Sequence, residues 1–241
     1  MKYFCVSDIH GHYDELKEAL NKSGFDESNN NHMLMVIGDM VDRGPKCVEV
    51  LEYIYYLRSE GKAIVIMGNH DLFLLDFLFF RTERTVFNFL RNGHKTTIEQ
   101  LLGRDVDSES DFIDEAKGIE ERHPYLKGFL SSLETYYEIG DYVFVHGGVD
   151  ATKENWRDDV LKTFVWTRML DKPKIKDKIM VVGHTPAFYV RCVREERDSD
   201  EIEENNVELK HYYDPLDEGD IIHIDGGVYS GGRINVLILD L

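Results

Sequence analysis

Gly38-Asp39-Met40-Val41-Asp42-Arg43-Gly44 follows the apolar run Met33 to Ile37 and precedes Pro45 and a segment in which Val48, Leu51 and Ile54 recur at helical spacing. An apolar run, a glycine-bounded polar turn and an amphipathic helix form the strand-loop-helix unit of α/β proteins, which hold ligands at the carboxyl ends of their strands. Asp39, Asp42 and Arg43 then share one such loop. Two carboxylates three residues apart also occur in ordinary surface turns, so the unit gains meaning from its repetition. Tyr3 to Val6 leads into Asp8-Ile9-His10-Gly11, and Ala63 to Met67 into Gly68-Asn69-His70-Asp71. Tyr142 to Val145 leads into His146-Gly147-Gly148, and Ile179 to Val182 into Gly183-His184-Thr185-Pro186. Each of these strand ends delivers a metal-competent side chain.

Between the first two runs, Tyr13, Leu16, Ala19 and Leu20 recur at helical spacing and stop near Ser23-Gly24, as an amphipathic crossover helix does. The amino-terminal third therefore reads β-α-β-α-β, which implies a largely parallel sheet covered by helices. Leu72 to Phe80 is rich enough in Leu and Phe to predict burial; with helical patterns at Arg84 to Asn92 and Lys95 to Leu102 it suggests a helical cap over about 72–132. Asp105 to Glu121 carries eight acids against one base, Lys117, and reads as exposed helix or loop. Thr135 to Ile139, Gly140-Asp141 and Tyr142 to Val145 predict a hairpin that opens a second sheet. Alternating runs at Tyr189 to Arg194, Val207 to Tyr213, Ile221 to Ile224 and Asn235 to Leu239 suggest that this sheet is mostly antiparallel, with the seven acids of Glu195 to Asn206 at a hairpin tip. The expectation is one α/β domain spanning 1–241, with two stacked mixed sheets flanked by helices.

At 241 residues the chain can bury a substantial core, and it contains no apolar run of a length to span a membrane. Met1-Lys2 passes straight into a strand without a signal-peptide pattern, so a cytoplasmic location is expected. Cys5, Cys47 and Cys192 lie far apart, without zinc-like spacing, and read as reduced thiols. Lys and Arg total 28 against 46 Asp and Glu, a formal net charge of −18, which disfavours nucleic acid and anionic membrane as partners.

Asp8, His10, Asp39, Asn69, His146 and His184 offer only oxygen and nitrogen donors, a set suited to two adjacent divalent ions: manganese first, with iron, zinc or cobalt as alternatives. Two divalent cations and two arginines, set against Asp8, Asp39 and a bound hydroxide, would bring the local charge to roughly +3 in spite of the acidic whole. Taken in order, the five motifs resemble the phosphoprotein phosphatase branch of the calcineurin-like metallophosphoesterases, as found in bacterial and phage serine/threonine protein phosphatases. The resemblance runs from Asp8 to about Gly232. It implies that Asp8, His10 and Asp39 hold one ion, that Asp39 bridges to a second held by Asn69, His146 and His184, and that a metal-activated water attacks phosphorus in line.

Arg43 and Arg168 are the candidate phosphate clamps, because a planar guanidinium matches two phosphate oxygens and stays charged. Arg168 stands in Val165-Trp166-Thr167-Arg168, similar to an aromatic-then-arginine stretch of the bacterial phosphatases. His70 follows a ligand by one residue and is free to protonate the leaving oxygen, with Asp42 orienting it. His12, His32, His94, His123, His211 and His223 lack such a motif and read as ordinary core or surface histidines. Asn92-Gly93-His94-Lys95-Thr96-Thr97 is similar to the Asn-Gly-Gly-x-x-Thr of bacterial members, with His94 in place of a glycine. Asp71 replaces a frequent Glu, and His146-Gly147-Gly148 replaces His-Ala-Gly. The resemblance implies hydrolysis of phosphoserine or phosphothreonine in a phosphoprotein or phosphopeptide, with phosphotyrosine as a further candidate substrate. Symmetrical diadenosine tetraphosphate hydrolysis is the rival activity; in that subfamily the Asp42 position is often alanine and the last motif tends to read Gly-His-Trp. An inactive phosphoprotein-binding scaffold is the alternative of another class.

Overall fold

β1 (Lys2–Val6), β2 (His32–Ile37) and β3 (Ala63–Ile66) pair in parallel, linked by α1 (Tyr13–Ser23) and α2 (Cys47–Ser59). The computed structural model describes residues 1–80, 95–106, 112–170, 175–197 and 207–241. α1 ends where expected, on Gly24 in the left-handed conformation (φ 81°), whose amide closes back onto the last turn. β9 (Leu237–Asp240) adds antiparallel to β1, giving the order β3-β2-β1-β9. The second sheet, β4-β5-β6-β8-β7, contains the expected hairpin of β4 (Tyr136–Ile139) and β5 (Tyr142–Val145), with β6 (Ile179–Val182), β8 (Ile221–His223) and β7 (Leu216–Asp217).

Strand alternation divides the core. Phe4, Val6, Leu34 and Val36 face the helices, where they join Leu16, Leu51 and Ile54. Their neighbours Tyr3, Cys5, Met35 and Ile37 face the other way and pack against Phe144, Val181 and Ile222 of the second sheet. On the far side of that sheet, Val143, Val145, Met180 and Val182 pack on Trp156, Phe164 and Met169. Two mixed sheets thus stack face to face between helices, and the carboxyl ends of β1, β2, β3, β5 and β6 open toward one another. All three cysteines are free and buried. No helix among the described residues is long and apolar enough to cross a membrane.

Several expectations need correction. Tyr189 to Arg194 is not a strand but part of helix α8 (Ala187–Glu195), and Val207 to Tyr213 is a 3-10 helix. Apolar residues at alternate positions suggested a strand, but Phe188 and Cys192 lie four apart on one helical face and pack on Tyr212. Arg191 then donates to the carbonyls of Tyr212, Asp214 and Pro215, using acceptors that a sheet ladder would have needed. The acidic stretch Glu195 to Asn206, expected at a hairpin tip, is flanked by helical elements; its positions 198–206 lie outside the described residues, as do 81–94, which hold the expected helical pattern Arg84 to Asn92 and the Asn92-Gly93-His94 stretch. The second sheet is not mostly antiparallel: β5-β6 and β6-β8 are parallel, because crossovers carrying α7 (Leu161–Trp166) and α8 connect them, and the last strand joins the first sheet instead.

The cap helices are α3 (Asn69–Phe80), α4 (Lys95–Leu102), α5 (Phe112–Arg122) and α6 (Leu126–Ser131), and they share the core of the first sheet. α3 buries Leu74, Phe77 and Leu78, but Phe79 and Phe80 are exposed, against the expectation for that run. In the acidic stretch, α5 is not wholly solvated: it buries Ala116 and Ile119, and its buried Glu115 pairs with Arg104.

Candidate metal centre

The loops at these strand ends are held in unusual backbone. Eight non-glycine residues among those described have positive φ, and six of them are Asp8, His10, Asp39, Asp42, Arg43 and His184. Each costs about 1–3 kcal/mol in isolation and persists only where surrounding bonds over-determine it, a pattern concentrated at functional sites. Asp71 supplies much of that constraint. Its buried carboxylate accepts from the amides of Asp39 (2.8 Å), Met40 (3.0 Å) and Gly68 (2.9 Å), tying the second strand-end loop to the third. The amide of His70 donates to Asp39 Oδ1 at 2.9 Å and that of His184 to Asp8 Oδ2 at 2.9 Å.

These bonds leave Asp39 Oδ2 among the histidines. It lies 3.3 Å from His146 Nε2 and 3.7 Å from His10 Nε2, and His146 Nε2 is 3.1 Å from Asn69 Oδ1. Asp8 Oδ1 is 4.0 Å from His10 Nε2. His10 Nδ1 donates to the carbonyl of Val41 and His146 Nδ1 to that of Ile37, each at 2.8 Å, which points both Nε2 lone pairs inward, as metal-ligating imidazoles require. His184 Nε2 is buried without a hydrogen-bond partner among the described residues. Burial pushes the pKa values of His10 and His184 down to about 3, so both imidazoles stay neutral and keep an acceptor nitrogen, which in His10 takes a hydrogen bond from Arg43. Burial alone would raise Asp39, but His146, His70 and His10 hold it well below the usual carboxylate range. Burial alone would lower His146, yet the charges of Asp39 and Asp8 raise it to about 10; the field that draws a proton there also draws a cation. Asp39 with His146 and His184, and Asp39 with His10 and His70, form compact groups able to hold an ion, so the donor set fits divalent metal; His70, expected only as a proton donor, stands within the second group.

Every residue singled out in the sequence lies in or directly behind one cavity of about 180 Å³. Asp8, His10, Asp39, Arg43, Asn69, His70, Arg168 and His184 line it. His146 sits behind Asp39 and Asn69, and Asp42 behind His70, both fully buried. His70 Nδ1 is 2.7 Å from Asp42 Oδ2, and the hydroxyl of Thr97 donates to Asp42 Oδ1. Burial depresses the His70 imidazolium, but Asp39 and Asp42 outweigh it and raise the pKa. Arg43 donates to His10 Nε2 (2.8 Å) and His70 Nε2 (3.2 Å) and lies 3.9 Å over the Tyr229 ring. Arg168 reaches Thr185 Oγ1 at 3.3 Å.

Sequence reasoning missed Asp225 and Tyr229, which line the same cavity, and gave no role to Trp166, also in its lining, or to the supporting Thr97, although both stand in the motifs quoted above. Asp225 carried a usable signal, since Asp225-Gly226-Gly227 follows β8 as the other motifs follow their strands. It is buried, and burial with the nearby Asp8 pushes its carboxyl well up. Trp166, at the end of α7, stands edge-on to Phe73 at 5.4 Å and to His184 at 5.8 Å between centroids.

The family model of calcineurin-like phosphoesterases matches residues 1–214. The chain is similar to the asymmetrical bis(5'-nucleosyl)-tetraphosphatase PrpE of Oceanobacillus iheyensis, with 27% identity over 214 residues and 80% of each chain covered. A symmetrical bis(5'-nucleosyl)-tetraphosphatase of Buchnera aphidicola is 44% identical over 75 residues, 31% of this chain; that match spans only 26% of the relative's length. Among solved structures, a cold-active protein-tyrosine phosphatase of a psychrophilic Shewanella shares the fold, with a TM-score of 0.59 at 19% identity over 99% of this chain and 75% of that one.

Proposed function

The chain belongs to the calcineurin-like phosphoesterase family, and from that premise we propose that it hydrolyses dinucleoside tetraphosphates, cutting the polyphosphate bridge asymmetrically. The observation that carries this reading is the similarity to an asymmetrical tetraphosphatase across 80% of both chains. A polar cavity with two arginines suits a polyphosphate better than the acidic surface would suggest, because screening confines the net negative field to about 8 to 10 Å.

Asp8, His10 and Asp39 would hold one divalent ion and Asn69, His146 and His184 a second, with Asp39 shared; manganese is the first choice. When bound, the ions activate water for in-line attack on phosphorus and polarise the phosphoryl oxygens. The remaining chemistry belongs to the chain. Arg43 and Arg168 draw the non-bridging oxygens into the cavity and offset the charge that grows on them. His70 turns Nε2 to the cavity, where it accepts from Arg43, while Asp42 holds Nδ1; once Arg43 turns to the phosphate, a proton taken up on Nε2 is placed for the departing oxygen. Thr97 fixes Asp42 in turn, and Asp71 holds the loops that carry Asp39 and Asn69 in register.

A second reading, hydrolysis of phosphoserine or phosphothreonine in proteins, is favoured by the His70–Asp42 pair at 2.7 Å. A phosphate leaving group departs with little help, whereas a serine alkoxide needs a proton as its bond breaks. The two readings separate in one assay. The manganese-loaded protein is offered diadenosine tetraphosphate and phosphopeptides, and the products are resolved by ion-exchange chromatography. Formation of ATP and AMP supports the first reading. Two ADP per substrate would refute asymmetric cleavage, turnover of phosphopeptides alone would favour the second reading, and no turnover of either would favour a binding scaffold.

A further inference from the structure

A second cavity, of about 410 Å³, adjoins the metal cavity and shares Arg168, Pro186 and Tyr229 with it; its other walls are Phe188 and Tyr189. Resting on the function proposed above, we infer that this second cavity is the nucleoside pocket, in which one base of the substrate stacks on Tyr189 and Tyr229 while its phosphate passes Arg168 to the metal ligands.

The rings are placed for a ligand and not for the core. Tyr189 is 38% exposed and Tyr229 42% exposed, although each belongs to a wall whose other aromatic, Phe188, is only 6% exposed. Phe188 packs against Tyr213 at 5.1 Å between centroids, which makes a firm floor, while the Arg43 guanidinium lies over one face of the Tyr229 ring at 3.9 Å from its centroid. Exposed aromatic faces beside a phosphate site recover the cost of their exposure when a planar group covers them, and every base has a π-face to offer. The volume fits a single nucleoside, at the lower end of the roughly 300 to 1,000 Å³ of small-molecule pockets, and is short for an extended peptide. Arg168 stands where the two cavities meet, which is where the first phosphate after a ribose would lie. Larger cavities of about 550, 500 and 460 Å³ are lined by none of the metal-site residues.

The test is equilibrium binding of AMP and of inorganic phosphate to the manganese-loaded protein by calorimetry, which needs no turnover. AMP should bind about tenfold or more tightly than phosphate, the return expected from one stacked base. Tyr189→Ala should erase most of that advantage with phosphate affinity unchanged, and Tyr189→Phe should restore it. Equal affinity for AMP and phosphate, or an AMP advantage that survives Tyr189→Ala, would overturn the pocket. A thermal melt of Tyr189→Ala checks folding; should the variant not fold, Tyr189→Phe and the AMP-to-phosphate ratio of the parent still decide. An AMP advantage without diadenosine tetraphosphate turnover would sink the proposed function and leave the pocket standing, whereas turnover with no AMP advantage would do the reverse.

Discussion

Asp42→Asn reads out the proton-donor assignment more finely than removal of the imidazole. Asp42 is fully buried, and Oδ2 lies 2.7 Å from His70 Nδ1 while Oδ1 accepts from Thr97. A hydrogen bond to a charged group in such a setting is worth about 1.5–3 kcal/mol, because neither partner has water to fall back on. The amide keeps the shape but loses the charge that supports the imidazolium. If proton delivery limits the rate, kcat should fall about 10- to 150-fold on a substrate with a poor leaving group. His70→Asn removes the donor itself and should cost roughly 10²- to 10⁴-fold. On p-nitrophenyl phosphate, whose phenolate leaves unaided, both variants should lose much less. The assay compares kcat on a phosphoserine peptide, p-nitrophenyl phosphate and diadenosine tetraphosphate, with metal content measured on the same preparations. Equal losses on all substrates with both metals in place would refute the reasoning and assign His70 to positioning the phosphate or the nucleophile.

Asp39→Asn should leave fewer than two equivalents of metal in elemental analysis, since one oxygen faces the histidines of both candidate ion positions. Gly38→Ala places a Cβ 2.6 Å from His146 Nδ1 on a backbone at φ 78°. The left-handed backbone costs about 1–2 kcal/mol, and displacement of the His146 ring should weaken metal binding about 10- to 100-fold in a competition titration. Phe77→Ala, in the fully buried face of α3, should cost about 3–5 kcal/mol, lowering Tm by about 6 to 20 °C. Phe80→Ala, at a side chain 65% exposed, should stay within about 0.5 kcal/mol by urea melt.

The sequence alone determined the amino-terminal β-α-β-α-β unit, the β4-β5 hairpin and the residues that converge at the candidate metal centre. Those features are local: a strand, the glycine turn that ends it and the side chain on the turn lie within about ten residues, and parallel strands bring their carboxyl ends to one side. Tertiary structure decided the rest. Whether Ala187 to Glu195 forms a strand or a helix was settled by Arg191 claiming carbonyls of Tyr212, Asp214 and Pro215, acceptors some twenty residues away that no local window registers. The placement of β9 depended on β1 having a free edge, whose residues Lys2 to Cys5 pair with Asp240 to Leu237 from the other end of the sequence, and not on its own alternation. Thr97 reaches Asp42 across 55 positions, and Asp71 clamps a loop 31 and 32 residues upstream; both are single polar residues with no periodic signature. The left-handed backbone at Asp8, Asp39 and Asp42 is likewise invisible in the sequence, because Asp tolerates that region but also adopts the ordinary ones, and bonds from neighbouring loops decide between them.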